Sequence, residues 1–535
     1  MSTPKRRAPV RSALCLALTS LLAVLGACAP APGPEAPAAS APEATGAEPL
    51  ATPRPNIVFI LADDLDARTS PFWDVMTLTR ERLKQRGMTF NRAYTPTSIC
   101  CAARAAILSG QYGWNTGVLT NGGEYGGWDV FREGGAEARA VPVALKNAGY
   151  RTMLVGKYLN GYDLEGTATQ PVLPPVPPGW TEWYSPVDRS QNSYTGYNYA
   201  LNENGALVRY GNDPADYFTD VVSRKAVKFI RDSDRINDAA PFFMYVAPTA
   251  PHLPIAPAPR HANNPYVNAQ SPRLPNYDEP DVSDKPLWLT QSADERSAQV
   301  ASKNDDDYRK RMGSLYAVDE MVAAILDALA ATGELENTYV IFTSDNGYNL
   351  GAHRLIHKMA PYEESIQVPL VIAGPGIPAG SQQNVFTVHV DFAPTFLQLA
   401  GVAPSAVHDG KSLVPLFGGS VPSGWRTDFA GRYHGGDASD GIGAELPEAV
   451  WYLGLAVDIP SYRFVRNQRF LYIEWYNDEA PDAAHEYELY DLRDDPWQLN
   501  NLLSTAAGRL TYRSVTDQLA ARLDTLGSCS GAACP

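Results

Sequence analysis

The sequence predicts an α/β fold built on a large, mainly parallel central sheet flanked by helices. Three observations carry this: short, wholly apolar runs alternate with helical patterns, four of the runs stop abruptly at or just before polar residues, and 44% of the 535 residues are hydrophobic. A strand with one solvated face alternates apolar and polar residues, whereas a strand buried on both faces of a parallel sheet is apolar throughout. A chain of this length and apolar content encloses a sizeable core, which excludes a largely disordered protein.

In chain order, the first residues read as a leader. Lys5, Arg6, Arg7 and Arg11 form a basic region ahead of an apolar run from Ser12 to Ala27. That run is short for a membrane span and suits a secretory signal. It ends Leu25-Gly26-Ala27-Cys28, similar to a bacterial lipobox, so residues 1–27 are expected to be removed and Cys28 lipidated. The alternative is an ordinary signal peptide cut nearby. From Cys28 to Pro55, alanine and proline fill 17 of 28 positions. Such a segment has no large side chains to bury and reads as an extended tether over residues 28–55. The expected protein is extracytoplasmic, either secreted or held to a membrane only through an N-terminal lipid.

The four apolar runs follow. Asn56–Ala62 stops at Asp63-Asp64, Arg151–Val155 runs into Gly156-Lys157, Pro241–Val246 leads to His252, and Thr338–Thr343 stops at Ser344-Asp345-Asn346. A helical pattern lies around Leu315–Leu329. In open α/β sheets ligands bind beyond the carboxyl ends of the strands, so these polar residues are candidates for one site. Asp63, Asp64, Asp345 and Asn346 offer only oxygen, which suits a hard cation such as Ca²⁺ or Mg²⁺. Taken singly, each pair also reads as a helix cap or a turn. Lys and Arg number 44 against 59 Asp and Glu, for a net charge of −15. That balance argues against a nucleic-acid binder, which needs basic surface.

Cysteine usage isolates one more segment. Cys529 and Cys534 enclose a short loop that can close as a disulfide in an oxidising compartment. Cys100 and Cys101 remain, and an adjacent pair closes only as a strained ring. They sit in Ser98-Ile99-Cys100-Cys101-Ala102-Ala103-Arg104, whose alanines predict a helix from about Cys100, capped by Thr97 or Ser98. A helix start favours negative charge, and Arg104 lies one turn on. The pattern reads as a nucleophile or modified residue in an anion-binding setting.

This stretch resembles the sulfatase signature, in which a cysteine followed four residues later by arginine is oxidised to formylglycine; only Cys100 has that spacing. Gly149-Tyr150-Arg151-Thr152 with Gly156-Lys157-Tyr158-Leu159 resembles the second sulfatase signature. Asp63-Asp64, Asp345-Asn346-Gly347, Tyr362-Glu363 with Val368-Pro369-Leu370, and Glu488–Leu492 with Asp495-Pro496 fall in family order. Within the family, the doubled cysteine, Gly156–Asn160, Ala250-Pro251-His252, Ser344–Tyr348 and Ser528–Cys534 are most similar to the N-acetylglucosamine-6-sulfatase group.

The resemblance implies a catalytic domain over residues 56–420 and a smaller α+β subdomain with an antiparallel sheet over 421–535. It implies hydrolysis of sulfate esters, through attack on sulfur by hydrated formylglycine at position 100, with sulfate leaving as the aldehyde re-forms. A formylglycine-generating maturation enzyme is then a partner, and a sulfated small molecule or glycan the substrate. Arg104 would orient the nucleophile, Lys157 and Lys358 would contact sulfate oxygens, and His252 would protonate the leaving oxygen. The cation, held by Asp63, Asp64, Asp345, Asn346 and residue 100, would acidify the nucleophile. Asn115 falls near a family position for substrate contact, and His353 and His357 near the Asp345 loop either touch the sugar or serve structure. Two departures stand out: Ala102 replaces a usual proline, and Leu159 replaces a histidine that many members carry, which leaves the elimination base unassigned. Other readings are a formylglycine-dependent phosphonate monoester or phosphodiester hydrolase, and an inactive glycan-binding homologue.

Overall fold

The computed structural model describes residues 54–535 apart from 168, 188–191, 238–239, 294–296, 436–458 and 477–484. The leader, Cys28 and the tether as far as residue 53 lie outside the described residues. None of the described helices is long and apolar enough to cross a membrane.

The main sheet contains β1 (Asn56–Ala62), β2 (Met88–Phe90), β3 (Arg151–Gly156), β4 (Glu182–Pro186), β5 (Ala200–Glu203), β6 (Ala206–Arg209), β7 (Phe242–Ala247), β8 (Thr338–Ser344), β9 (Leu370–Ala373) and β10 (Ser381–Gln383). Their spatial order is β10-β2-β9-β8-β1-β7-β3-β4-β5-β6. The central five, β8-β1-β7-β3-β4, are parallel as expected. The margins add antiparallel strands to this parallel centre: β9 is antiparallel to β8 and β2, and β5 and β6 extend the far edge, while β10 pairs parallel with β2. A hairpin turn at Asn204-Gly205, with φ of 53° and 90°, closes the β5–β6 pair. Two consecutive left-handed residues match the twist of a two-residue hairpin, and Asn-Gly is the dipeptide best suited to it; here Asn precedes Gly in that way.

Alternation along β1 shows why an all-apolar run is needed. Ile57, Phe59 and Leu61 enter one core, while Val58, Ile60 and Ala62 enter the other. The first core is covered by α1 (Cys100–Ser109), and the second by α2 (Phe218–Asn237) and α3 (Ser297–Ala331), which includes the helical pattern expected at Leu315–Leu329. A further helix, α4 (Phe392–Leu399), brings Phe392 and Phe396 to 5.1 and 5.2 Å from the Phe59 ring. Emptying such a position, as in Phe59→Ala, typically costs about 3–5 kcal/mol.

Residues 428–491 supply the expected antiparallel sheet: β11 (Asp428–Tyr433), β12 (Ser461–Asn467), β13 (Phe470–Tyr476) and β14 (Glu486–Asp491), paired in sequence order. The amphipathic α5 (Arg513–Gly527) packs Leu519, Leu523 and Leu526 against Val465 and Leu489. The opposite side of this sheet merges with the first core, where Phe429 lies 4.9 Å from Tyr94 and 5.6 Å from Phe386. Cys529 and Cys534 are joined as a disulfide.

Candidate active site

Strand register brings the four polar segments together. Ala62 pairs with Ser344, and Ala247 with Gly156, so Asp345, Asp63 and Lys157 leave β8, β1 and β3 at the same edge, with β7 between the last two. His252 follows β7 by five residues. Gly156 permits the approach of β3: its φ is 109°, and a Cβ there would lie 1.9 Å from the Ala247 carbonyl oxygen. Asp64 takes a left-handed φ of 64°, a conformation that costs a non-glycine residue roughly 1–2 kcal/mol and persists where surrounding contacts impose it.

Helix α1 begins at Cys100 as expected, but its cap is different. Ile99 occupies the cap position in an extended conformation with no side-chain bond. Thr97 Oγ1 donates to the Arg432 carbonyl at 2.7 Å and Ser98 Oγ to the Ala360 carbonyl at 3.3 Å, so neither turns back to the helix. Asn121 Oδ1 instead accepts the Cys101 N–H from outside at 2.9 Å, satisfying a donor that the helix start leaves open.

Cys100 is fully buried. Lys358 Nζ lies 2.7 Å from its Sγ and 2.7 Å from Asp64 Oδ1, and Asp63 Oδ1 lies 3.6 Å from the same sulfur. Lys157 Nζ sits 2.9 Å from Asp63 Oδ2. Arg104 donates from Nε to Asp345 Oδ2 and from Nη1 to the Lys157 carbonyl, both at 2.8 Å. His252 Nε2 is 3.6 Å from Asp64 Oδ2, while its Nδ1 meets the Leu253 carbonyl. A carbonyl oxygen can only accept, so Nδ1 carries a proton and Nε2 is the nitrogen turned toward the carboxylate.

The electrostatics follow from burial and pairing. Burial works against charge on Asp64, yet Lys358 and then His252 pull its carboxyl well below the ordinary carboxylate range. Burial likewise opposes charge on Lys157 and Arg104, but Asp63 holds the lysine ionised, and Asp345 with Asp63 does the same for the arginine. Asp345 moves the other way: burial and then Asp63 raise its carboxyl above the usual value.

Asp63, Asp64, Cys100 and His252 can bring ligand atoms within 4.8 Å of one another. Asn346 Nδ2 donates to Asp64 Oδ1 at 2.6 Å, and its buried Oδ1 accepts no hydrogen bond from the described residues. Carboxylates beside an orphaned amide oxygen fit a hard divalent cation. Asp345, also in the expected ligand set, has protein partners in this geometry: Oδ1 accepts from the backbone of Asp64 at 3.1 Å and Asn346 at 2.8 Å, and Oδ2 from Arg104.

The expected substrate contacts of Asn115 and His353 are not brought to this cluster. Asn115 Nδ2 donates to Asp409 Oδ2 and the Cys529 carbonyl, both at 2.9 Å, which pins the C-terminal loop. His353 places Nδ1 2.7 Å from Glu279 and Nε2 3.3 Å from Asn276, so both ring nitrogens are engaged. His357 is buried with Nδ1 3.2 Å from the Tyr348 hydroxyl. Two residues without a local sequence signal join the site: Asn121, described above, and Tyr194, whose ring lies 4.5 Å from that of His252 and 5.2 Å from Lys157 Nζ. A polar cleft beside them is walled by Asn160, Asp163, Ser185 and Thr249.

Comparison with known proteins identifies the family. The human N-acetylglucosamine-6-sulfatase is 33% identical over 506 residues, covering 90% of this chain and 86% of that protein. An arylsulfatase of Volvox carteri is 31% identical over 541 residues, covering 90% and 76%. A protein solved in complex with its substrate D-glucosamine-2-N,6-O-disulfate shares the fold with a TM-score of 0.69 at 24% identity, covering 88% of this chain and 97% of that one. The sulfatase family model matches residues 55–402, and with relatives that align along nearly the whole chain the conclusion is plain: this protein belongs to the sulfatase family and is a sulfuric ester hydrolase.

Proposed function

We propose that this enzyme removes sulfate from sulfated carbohydrates of the N-acetylglucosamine-6-sulfate type, outside the cytoplasm. The observation that carries the reading is the convergence of Lys358 and Asp63 on the Cys100 sulfur, at 2.7 and 3.6 Å, at the start of a buried helix. That sulfur is lost on oxidation, and its position marks where an oxygen on Cβ of the oxidised residue would lie. Oxidation of Cys100 to formylglycine would supply a hydrated aldehyde as nucleophile, and a Ca²⁺ or Mg²⁺ ion held by Asp63, Asp64, Asn346 and Asp345 would supply Lewis-acid activation.

The remaining work falls to side chains of this chain. Lys157 and Lys358 approach from two sides with ammonium groups that would hold sulfate oxygens. Arg104 keeps Asp345 and the Lys157 backbone in place. His252, fixed through Nδ1, presents Nε2 toward Asp64 and would deliver its proton to the departing alkoxide. The hydroxyl, amide and carboxylate groups of Ser185, Asn160 and Asp163 suit the hydroxyls and nitrogen of an amino sugar. The human relative's name supports the sugar assignment, and the leader supports export, with Cys28 as the proposed lipid anchor.

The test is sulfate release by protein co-expressed with a formylglycine-generating enzyme, across 6-sulfated amino sugars, other sugar sulfates, aryl sulfates and phosphonate monoesters. The mass of the peptide carrying residue 100 is followed in parallel. Preference for the 6-sulfated amino sugar with residue 100 oxidised is expected. Faster turnover of phosphonate or phosphate diesters than of any sulfate would overturn the assignment, and so would full activity with an unmodified thiol.

A further inference from the structure

Arg311 lies on α3, far in sequence from every residue of the site, and its side chain is fully buried. Nη2 donates to the Asp64 carbonyl at 2.6 Å and Nη1 to the Pro251 carbonyl at 3.3 Å. The guanidinium carbon stands 4.1 Å from the centroid of the Tyr348 ring. One planar group thus grips two turns: the Asp63-Asp64 turn after β1 and the turn after β7 that leads to His252. The same turns meet a second time through the Asp63 N–H and the Ala250 carbonyl at 3.3 Å. Across this junction His252 Nε2 faces Asp64 Oδ2 at 3.6 Å.

Charge neutralisation alone would be the simplest account of a buried arginine, and Asp66 is the carboxylate it is ion-paired with, Asp64 feeling its charge as well. The Asp66 distance of 3.7 Å is too long for a hydrogen bond. Moreover, Asp66 already accepts from the backbone and hydroxyl groups of Thr69 and Ser70, at 2.5 to 2.9 Å. Arg311 therefore directs its hydrogen bonds to the two carbonyls, while Asp66 and the Asp64 carboxylate balance its charge without hydrogen bonds from it. Its hydrogen bond to Asp64 also supports a residue held at φ 64°.

We propose that Arg311 is a positioning residue that sets the separation between the cation-binding carboxylate of Asp64 and the imidazole of His252. The inference rests on the roles assigned to those two residues under the proposed function. A lysine keeps the buried charge but is a point donor without the planar fork that spans two carbonyls, and methionine donates to neither.

The experiment compares Arg311→Lys, Arg311→Met and, as reference, His252→Ala with the parent enzyme. Three quantities are read: thermal stability, Ca²⁺ and Mg²⁺ affinity of chelator-treated protein by calorimetry, and kcat/KM over aryl sulfates of graded leaving-group basicity. Both Arg311 variants should bind the cation about tenfold or more weakly, the scale of a lost charge-assisted hydrogen bond. Their rates should fall more steeply as the leaving group becomes more basic, approaching the slope of His252→Ala, with kcat affected more than KM. Folded variants with parental cation affinity and parental slope would overturn the proposal. Failure of Arg311→Lys to fold would overturn it too, by assigning the residue to fold stability. If His252→Ala itself leaves the slope unchanged, the acid assignment fails, and the cation affinity alone decides whether Arg311 positions Asp64.

Discussion

The hydroxyl of Tyr462, on the C-terminal sheet, donates a hydrogen bond to the carbonyl of Met359, the residue after Lys358. The Met359 N–H in turn donates to the Ser98 carbonyl at 3.1 Å, and Ser98 Oγ lies 3.3 Å from the Tyr462 hydroxyl. One tyrosine thereby ties the segment entering Cys100 to the segment carrying Lys358. His357 and Met359, on either side of that lysine, have φ of 80° and 84°. Non-glycine residues hold such angles only where tertiary contacts outweigh the local cost.

Tyr462→Phe keeps the ring and removes this donor, leaving the Met359 carbonyl without its buried partner. Stability should fall by about 1–3 kcal/mol. Because the freed loop bears Lys358, kcat on an aryl sulfate should drop about tenfold at a temperature where the variant is fully folded. An unchanged kcat under that condition would show that the C-terminal sheet does not hold Lys358.

Cys100→Ala should abolish turnover and leave α1 intact, since alanine suits a helix that already carries Ala102, Ala103, Ala105 and Ala106. Cys101→Ala should keep much of the activity at a stability cost of about 1 kcal/mol, because its side chain belongs to the first core. Assaying both with one aryl sulfate checks the placement. An essential Cys101 beside a dispensable Cys100 would reverse it.

Chelation should inactivate the enzyme and lower its melting temperature, and added Ca²⁺ or Mg²⁺ should restore both, since a ligand bound only by the folded state stabilises that state. Differential scanning fluorimetry alongside the assay makes the comparison. Recovery with zinc alone would contradict an oxygen-donor site.

His357 supplies a pH signature. Burial, followed by repulsion from Lys303, lowers its pKa from 6.5 to about 3. The unfolded chain therefore takes up this proton first as pH falls, so the contribution to stability is complete above about pH 6.5 and drains away down to about pH 3. Each pH unit in that window is worth up to about 1.4 kcal/mol. In His357→Gln the loss of stability between about pH 7.5 and about pH 4.5 should shrink by about 2 kcal/mol, measured by chemical denaturation. An identical loss in both proteins would mean that His357 is charged in the folded state.

Much of this was legible in the linear chain, for local reasons. An apolar run buried on both faces, ended by an acid pair or by Gly-Lys, identifies a central strand and the end at which it delivers its side chains. The spacing of Cys100 and Arg104 is one helical turn, and backbone geometry alone puts both on one side of α1. Cys529 and Cys534 are close enough in sequence for a short loop to join them. Helix pitch, strand pleat and short loops are set by neighbouring residues, so each survives reading one segment at a time.

Tertiary packing decided the rest. Thr97 and Ser98 look like caps, but Arg432 and Ala360 offer their hydroxyls other partners, and Asn121 arrives to take the Cys101 N–H. Asn115 and His353 are polar residues near the site in sequence, yet the C-terminal loop and Glu279 engage their side chains. Arg311 sits among charged neighbours on a long helix, and only the assembled sheet and loops enclose its side chain. A polar side chain adopts the partner that remains within reach after the core has closed. That choice depends on segments hundreds of residues apart, and no local pattern encodes it.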